Sequence, residues 1–187
     1  MTSDESLMLE FQRGSREALG ELFARYREPL YGFFRRRLER RERAEDLVQE
    51  TFVAVIRAVQ RYEPRALVRT YLYGIALKLL AAERRRPANQ ETALDPVAEP
   101  AARETLEAAL WIKSALEKLE QTEREVLMLR EYEQLSYAEI AELLRIPVNT
   151  VRSRLFRARM ALRNHLQPGV RLDVQAHSTE MAAEEEA

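Results

Sequence analysis

Seven arginines and no acidic residue lie between Arg145 and Arg171, whereas the stretch from Ser114 to Glu142 holds eight acids against Lys118, Arg124 and Arg130. A guanidinium offers a fixed fork of donors, so such a run suits phosphate clamping and bidentate reading of guanine rather than bond making. Catalytic groups are scarce. The chain has no cysteine and only two histidines, His165 and His177, at the end of the arginine run and beyond it. Neither histidine follows a glutamate by three residues, as a di-iron bundle requires, and no glycine loop for phosphates is present. These residues point to recognition of a polyanion with no cofactor.

Elements that could position the arginines are helical. Apolar residues make up 46% and charged residues 33% of 187, with a formal net charge of -1 and only 5 Gly, a balance that suits helices and disfavours a turn-rich β architecture. Ser3 to Gln12 reads as a short helix ended by Gly14. Ser15 then caps a longer one, where Leu19, Leu22, Phe23, Tyr26, Leu30, Phe33, Phe34 and Leu38 recur at helical spacing and Pro29 is expected to kink or break the run. Glu45 to Tyr62 repeats the pattern, with Leu47, Val48, Phe52, Val55, Ile56 and Val59 on one side, before Pro64. A fourth helix is expected from about Arg69 to Arg86. Pro87, Pro96 and Pro100 mark a linker, after which apolar periodicity resumes near Arg103 with Leu106, Leu110, Ile112, Leu116 and Leu119. The expected fold is all-α, with two small helical domains: residues 1–86, a linker at 87–102, residues 103–167, and an acidic, mobile tail at 168–187.

Two capping boxes are expected in the second domain, Thr122 with Glu125 and Ser136 with Glu139. Ser136 to Leu144 then reads as a short first helix, Arg145 and Ile146 as a turn, and Pro147 to Leu166 as a second helix starting with proline. This is a helix-turn-helix. Ala141 is small where the crossing helix approaches, and Ile140, Leu144, Ile146, Val151 and Leu155 supply the shared core, leaving Asn149, Thr150, Arg152, Ser153, Phe156 and Arg157 outward. The turn position often filled by glycine holds Arg145, at a cost on the order of 1–2 kcal/mol for a left-handed backbone.

LSYAEIAELLRIPVNTVRSRLFRARMALRNHL, from Leu135 to Leu166, and the preceding LEKLEQTEREVLMLREYE resemble the fourth region of the extracytoplasmic-function sigma factors of bacterial RNA polymerase. AEDLVQETF from Ala44 to Phe52, YLYGIA from Tyr71 to Ala76 and the basic run Arg84 to Arg86 are similar to that family's second region. The resemblance implies a promoter-specificity subunit. Asp46, Gln49, Glu50 and Arg57 are then expected to bind core RNA polymerase at the clamp helices of its largest subunit, with a further contact to the flap. Tyr71, Tyr73, Lys78, Arg84, Arg85 and Arg86 are expected at the minus-ten element of promoter DNA, one of the two tyrosines being a candidate core residue. Asn149, Thr150, Arg152, Ser153, Arg154, Phe156, Arg157 and Arg159 are expected at the minus-thirty-five element. An anti-sigma protein is a further partner that the resemblance implies.

The chain departs from the family where melting occurs: Tyr71 stands where tryptophan is frequent, and Lys78 and Ala82 where asparagine and aspartate are. A helix-turn-helix regulator that acts without joining the polymerase stays open as the alternative, although it gives no reason for the DLVQETF face. No apolar run approaches the ~20 residues of a membrane helix, and Asp4 and Glu5 stand where a signal peptide needs positive charge. A soluble, cytoplasmic protein without membrane insertion is expected.

Overall fold

A computed structural model describes residues 2–64, 67–85 and 103–166, with side chains in the last stretch from residue 110 onward. The linker at 87–102, the tail at 168–187 and Arg86 lie outside the described residues. Among those described, regular structure is helical throughout: α1 (Asp4–Gln12), α2 (Arg16–Arg35), α3 (Arg41–Ala58) with a 3-10 turn at Val59–Arg61, α4 (Val68–Arg84), α5 (Arg103–Glu117), α6 (Gln121–Glu131), α7 (Tyr137–Leu144) and α8 (Val148–Leu166).

Local chemistry sets the ends of the first helices. The Ser3 hydroxyl accepts from the Ser6 amide at 3.1 Å and the Ser15 hydroxyl from the Ala18 amide at 3.2 Å, each satisfying a donor that the first turn leaves free. Gly14 joins α1 to α2 at a φ of 107°, where a Cβ would strain the backbone. Gln12 then ties α1 to the turn after α3 by donating to the carbonyls of Val59 at 2.9 Å and Tyr62 at 3.1 Å.

Helices α1 to α4 close around Met8, Leu22, Leu30, Phe33, Phe34, Leu47, Leu72 and Leu80, all fully buried. At roughly 1.5–3 kcal/mol for each large apolar side chain, this burial supplies the stability of the bundle. It also explains why α2 runs on past Pro29, where a kink or break was expected, without breaking: proline removes one donor, but Tyr26, Leu30, Phe33 and Phe34 on both sides of it are buried. Ile56 is another correction. It lies off the α3 stripe of Leu47, Val48, Phe52 and Val55 and is 48% exposed.

The second group, α5 to α8, packs on Val126, Leu129, Leu135, Ile140, Val151, Leu155 and Ala158. Leu110 and Ile112, expected on the apolar side of α5, are exposed and Ala115 is buried instead, whereas Leu119, just past the helix end, is buried as expected. The cap of α6 also moves. Glu120, rather than Thr122, is the N-cap and accepts from the amides of Thr122 and Glu123, which frees Glu125 for an ion pair with Arg37. The Ser136–Glu139 box forms as expected, and Pro147 stands one position before α8, its carbonyl accepting from Thr150 and Val151. The two groups meet where α4 packs on α7, and one continuous apolar cluster joins them.

Arg145 takes φ 54° and ψ 47°, the left-handed conformation expected for the turn, and Gln134 between α6 and α7 shares that φ. Arg145→Gly should therefore stabilise the protein by about 0.5–1 kcal/mol, the relief of the left-handed cost less the entropy glycine loses on folding. A urea unfolding midpoint that stays the same or falls would show that the arginine side chain outweighs the backbone strain.

Candidate nucleic-acid and polymerase interfaces

Helices α7 and α8 form the helix-turn-helix, held by buried Ile140, Ala141, Val151 and Leu155. Their spacing turns Asn149, Arg152, Ser153, Phe156, Arg157 and Met160 along one outer stripe of α8, all exposed, with Phe156 at 67%. A helix N-terminus presented this way can enter a major groove, with guanidinium forks for guanine and an apolar ring for a thymine methyl. The Arg152 guanidinium donates to the Asn149 carbonyl oxygen at 3.3 Å, so the two side chains are already aligned. Thr150 and Arg154 are half-buried.

Two of the arginines on α8 are paired with acids of α6. Arg157 meets Glu123 at 2.6 Å and Arg159 meets Glu131 at 2.7 Å, the latter raising the affinity of Arg159 for its proton. Both arginines stay more than half exposed, and pairs of that kind contribute about 0–1 kcal/mol, so phosphates could replace the carboxylates at little cost. Arg163 is exposed in the last turn of α8.

On the other half, Asp46, Gln49, Glu50 and Arg57 line an exposed face of α3. The same face carries Val53 and Ile56, two exposed apolar residues that the sequence reading did not assign to it. Arg43 holds its acids in place, contacting Glu50 at 2.8 Å, Asp46 at 3.6 Å and, on α4, Glu83 at 2.7 Å. On α4, Lys78, Arg84 and Arg85 are exposed and Tyr71 is half-buried, its ring 5.3 Å from that of Tyr62. Tyr73 is corrected. At 3% exposure, with its ring 5.4 Å from Phe33, it belongs to the core and cannot stack an unpaired base in this conformation.

Residues 22–89 match the family model described as Sigma-70 region 2, and residues 109–162 match that described as Sigma-70, region 4. The chain is 33% identical over 187 residues to the RNA polymerase sigma-H factor of Pseudomonas aeruginosa, covering 90% of this chain and 96% of that protein. It is likewise 33% identical over 184 residues to the ECF RNA polymerase sigma-E factor of Haemophilus influenzae, covering 89% and 96%. This chain belongs to the extracytoplasmic-function sigma factors. Among solved structures, the sigma factor resembles CnrH, seen in complex with the cytosolic domain of CnrY, at 29% identity and a TM-score of 0.70 over 87% of this chain and 96% of that one. It shares its fold with RpoE of Bartonella quintana, seen in complex with the anti-sigma factor NepR, at 21% identity and a TM-score of 0.62 over 79% and 95%. The family consists of transcription initiation factors without catalysis of their own, and among the described residues no group of acids and histidines could hold a metal. Nor is any described helix long and apolar enough to cross a membrane.

Where the halves of the sigma factor meet, three arginines of the first half hold three acids of the second, Glu133, Glu139 and Glu125, the last held by Arg37. Glu133 accepts from Arg36 at 2.8 Å and Arg37 at 3.2 Å, and the Tyr73 hydroxyl donates to it at 3.4 Å. Arg69 grips Glu139 with contacts of 2.7 and 2.8 Å, and Thr70 adds a donor at 3.3 Å. Sequence reasoning missed this cluster. The run Arg35, Arg36, Arg37 was its visible signal, but nothing in the sequence names acids nearly 100 residues away.

Burial pushes the Glu139 carboxyl up, but hydrogen bonds from the Ser136 amide and hydroxyl and the Arg69 guanidinium outweigh it, leaving the carboxyl below its ordinary value of 4.5. A depressed folded-state value means that the stabilisation is complete above pH 4.5 and is lost as pH falls through the lowered value. Urea midpoints measured from pH 7 down through this range should fall more steeply for the natural chain than for Glu139→Gln, which has no proton to take up there. Parallel curves would mean that Glu139 is not held ionised by these partners.

Proposed function

We propose that this sigma factor joins core RNA polymerase through the exposed α3 face of Asp46, Gln49, Glu50 and Arg57, with Val53 and Ile56 as its apolar part. The acids and arginine give orientation, and the two apolar residues give the surface that leaves water on docking. A contact of the second half with the polymerase flap completes the assembly. On promoter DNA, Tyr71, Lys78, Arg84 and Arg85 serve the minus-ten element, with Arg86 continuing that basic run in sequence. The α8 stripe serves the minus-thirty-five element, with Asn149, Thr150, Arg152, Ser153, Arg154 and Phe156 nearest the bases and Arg157 and Arg159 toward phosphates.

The observation that supports this reading above the others is the presence on one chain of both family regions, each with its exposed face. A regulator that works without the polymerase would use the helix-turn-helix but leave the α3 face without a role. The protein acts by binding alone, in the cytoplasm where the polymerase and promoter are. An anti-sigma partner is proposed as well, by likeness to RpoE of Bartonella quintana, whose solved structure is a complex with the anti-sigma factor NepR.

Run-off transcription with core polymerase on a promoter library tests the whole reading: the natural chain should start transcripts at a defined subset. Replacing Asp46, Gln49 and Glu50 together by alanine should weaken core association with helicity unchanged, because exposed substitutions usually move stability within about 0.5 kcal/mol. Arg152→Ala should remove about 1–3 kcal/mol of discrimination at one upstream base pair, while Arg159→Ala should weaken all sequences alike. Normal core binding by the triple variant, or unchanged sequence preference in Arg152→Ala, would refute the respective assignment.

A further inference from the structure

Helix α6 reaches the arginines of α8 twice, each time through an acid. Glu123, in its first turn, meets Arg157 at 2.6 Å, and Glu131, its last residue, meets Arg159 at 2.7 Å. At 1.5 Å per residue the two acids stand roughly 12 Å apart along α6, whereas the two arginines are roughly 3 Å apart along α8 and about 200° apart around it. Only a steep crossing satisfies both pairs. α6 therefore passes beneath α8 on the side of buried Leu155 and Ala158, and its acids come up on opposite flanks of the reading helix.

The chemistry of α6 itself accounts for one of these acids and not for the other. Glu123 complements the positive end of its helix, but Glu131 stands at the opposite end, where a negative charge opposes the helix dipole. Its neighbour Arg130 has the sign that end favours, and donates to the Leu135 carbonyl at 2.9 Å. Nor are the pairs needed to hold α6 on α8, since Val126, Leu129, Val151, Leu155 and Ala158 are all buried there. The role of Glu131 lies with Arg159. Arg152 and Arg163, on the same helix, meet no acid among the described residues, and Arg152 donates to Asn149 instead.

We propose that Glu123 and Glu131 are internal counterions that take, in the DNA-free protein, the places of two phosphates on the walls of the major groove, and so set the sequence-independent part of DNA affinity. The inference rests on the minus-thirty-five reading of α8 above. A helix lying in a groove about 12 Å wide has a sugar-phosphate strand along each flank. Arg157 and Arg159 point to those flanks, and a carboxylate offers a guanidinium the same charge sign and paired acceptors as a phosphate does. On binding, each acid must release its arginine and then stays beside the incoming phosphate as a like charge. Both effects are equal for every sequence. Arg152, which has no acid to release, keeps its fork for a base edge. The acids lower binding to arbitrary DNA without touching the reading contact, so a larger share of the remaining affinity depends on sequence.

The test is fluorescence anisotropy of the full chain on a labelled random-sequence duplex, titrated between about 50 and 200 mM salt. Glu131→Gln, at an exposed position, should raise affinity about two- to fivefold at the lowest salt, the release of one exposed pair. It should also steepen the log-log salt slope by up to about 0.9, the share of one further phosphate contact. Glu123→Gln should act likewise through Arg157, and if it loses helicity Glu131→Gln decides alone. In an Arg159→Ala background Glu131→Gln should lose most of its gain, which a mere change of net charge would not. If the natural chain binds too weakly to measure, binding that appears in the double glutamine variant supports the counterions, and none in either counts against them. Unchanged affinity and slope in Glu131→Gln, beside a weakened Arg159→Ala, would overturn the counterions and leave the minus-thirty-five reading standing. An equal gain with and without Arg159 would overturn them too. Unchanged affinity in Arg159→Ala would instead remove the phosphate role that the reading gives this arginine.

Discussion

A carboxylate removed from water must be matched by donors, and in this protein the match is made across the two halves of the chain. Glu133 has Arg36, Arg37 and Tyr73 around it, and every one of those partners comes from α2, its end, or α4. Desolvating an ion costs several kcal/mol, and removing one member of a buried pair typically costs about 3–5 kcal/mol, because the survivor is left uncompensated. The position of the helix-turn-helix on the first bundle therefore follows from electrostatic necessity as much as from apolar contact. Leu143 lies 3.6 Å from where a Cβ on Gly74 would stand, so the small residue also allows α4 and α7 to approach closely.

The same physics divides the arginines into two classes. Arg152, Arg157, Arg159 and Arg163 stand on a solvated helix, and any acid they hold can be given up for a phosphate. Arg37 is committed to its carboxylates by burial. A count of basic residues along the sequence treats both classes alike, although only the first is exposed to solvent. The acid-rich stretch from Ser114 to Glu142 gains a purpose as well: Glu123 and Glu131 neutralise the reading helix, while Glu125, Glu133 and Glu139 neutralise the first bundle.

Helix order, the helix-turn-helix and its outer stripe were legible in the sequence because they depend on local periodicity and caps. The Ser136–Glu139 box and the left-handed Arg145 are determined within a few residues, and both formed as expected. What was not legible depends on distant partners. Pro29 read as a kink or a break, and that α2 does not break there was not legible because the burial that holds it together comes from α1, α3 and α4. Thr122 looked like a cap, but Glu120 starts the helix two residues earlier by accepting from the amides of Thr122 and Glu123. Which of Tyr71 and Tyr73 belongs to the core was open in the sequence, and Phe33 and Glu133, around the ring and hydroxyl of Tyr73, assign it to Tyr73. Ile56 read as core until the geometry of α3 turned it outward beside Gln49 and Val53.

The central claim is that the Arg37–Glu133 pair couples the halves energetically and does not merely sit between them. A double-mutant cycle on unfolding free energy, with Arg37→Met, Glu133→Leu and both together in the full chain, isolates that coupling. Each single change should be strongly destabilising and the double variant should recover much of the loss, with an interaction energy of about 0.5–3 kcal/mol. Single effects that simply add, to within about 0.3–0.5 kcal/mol, would contradict it.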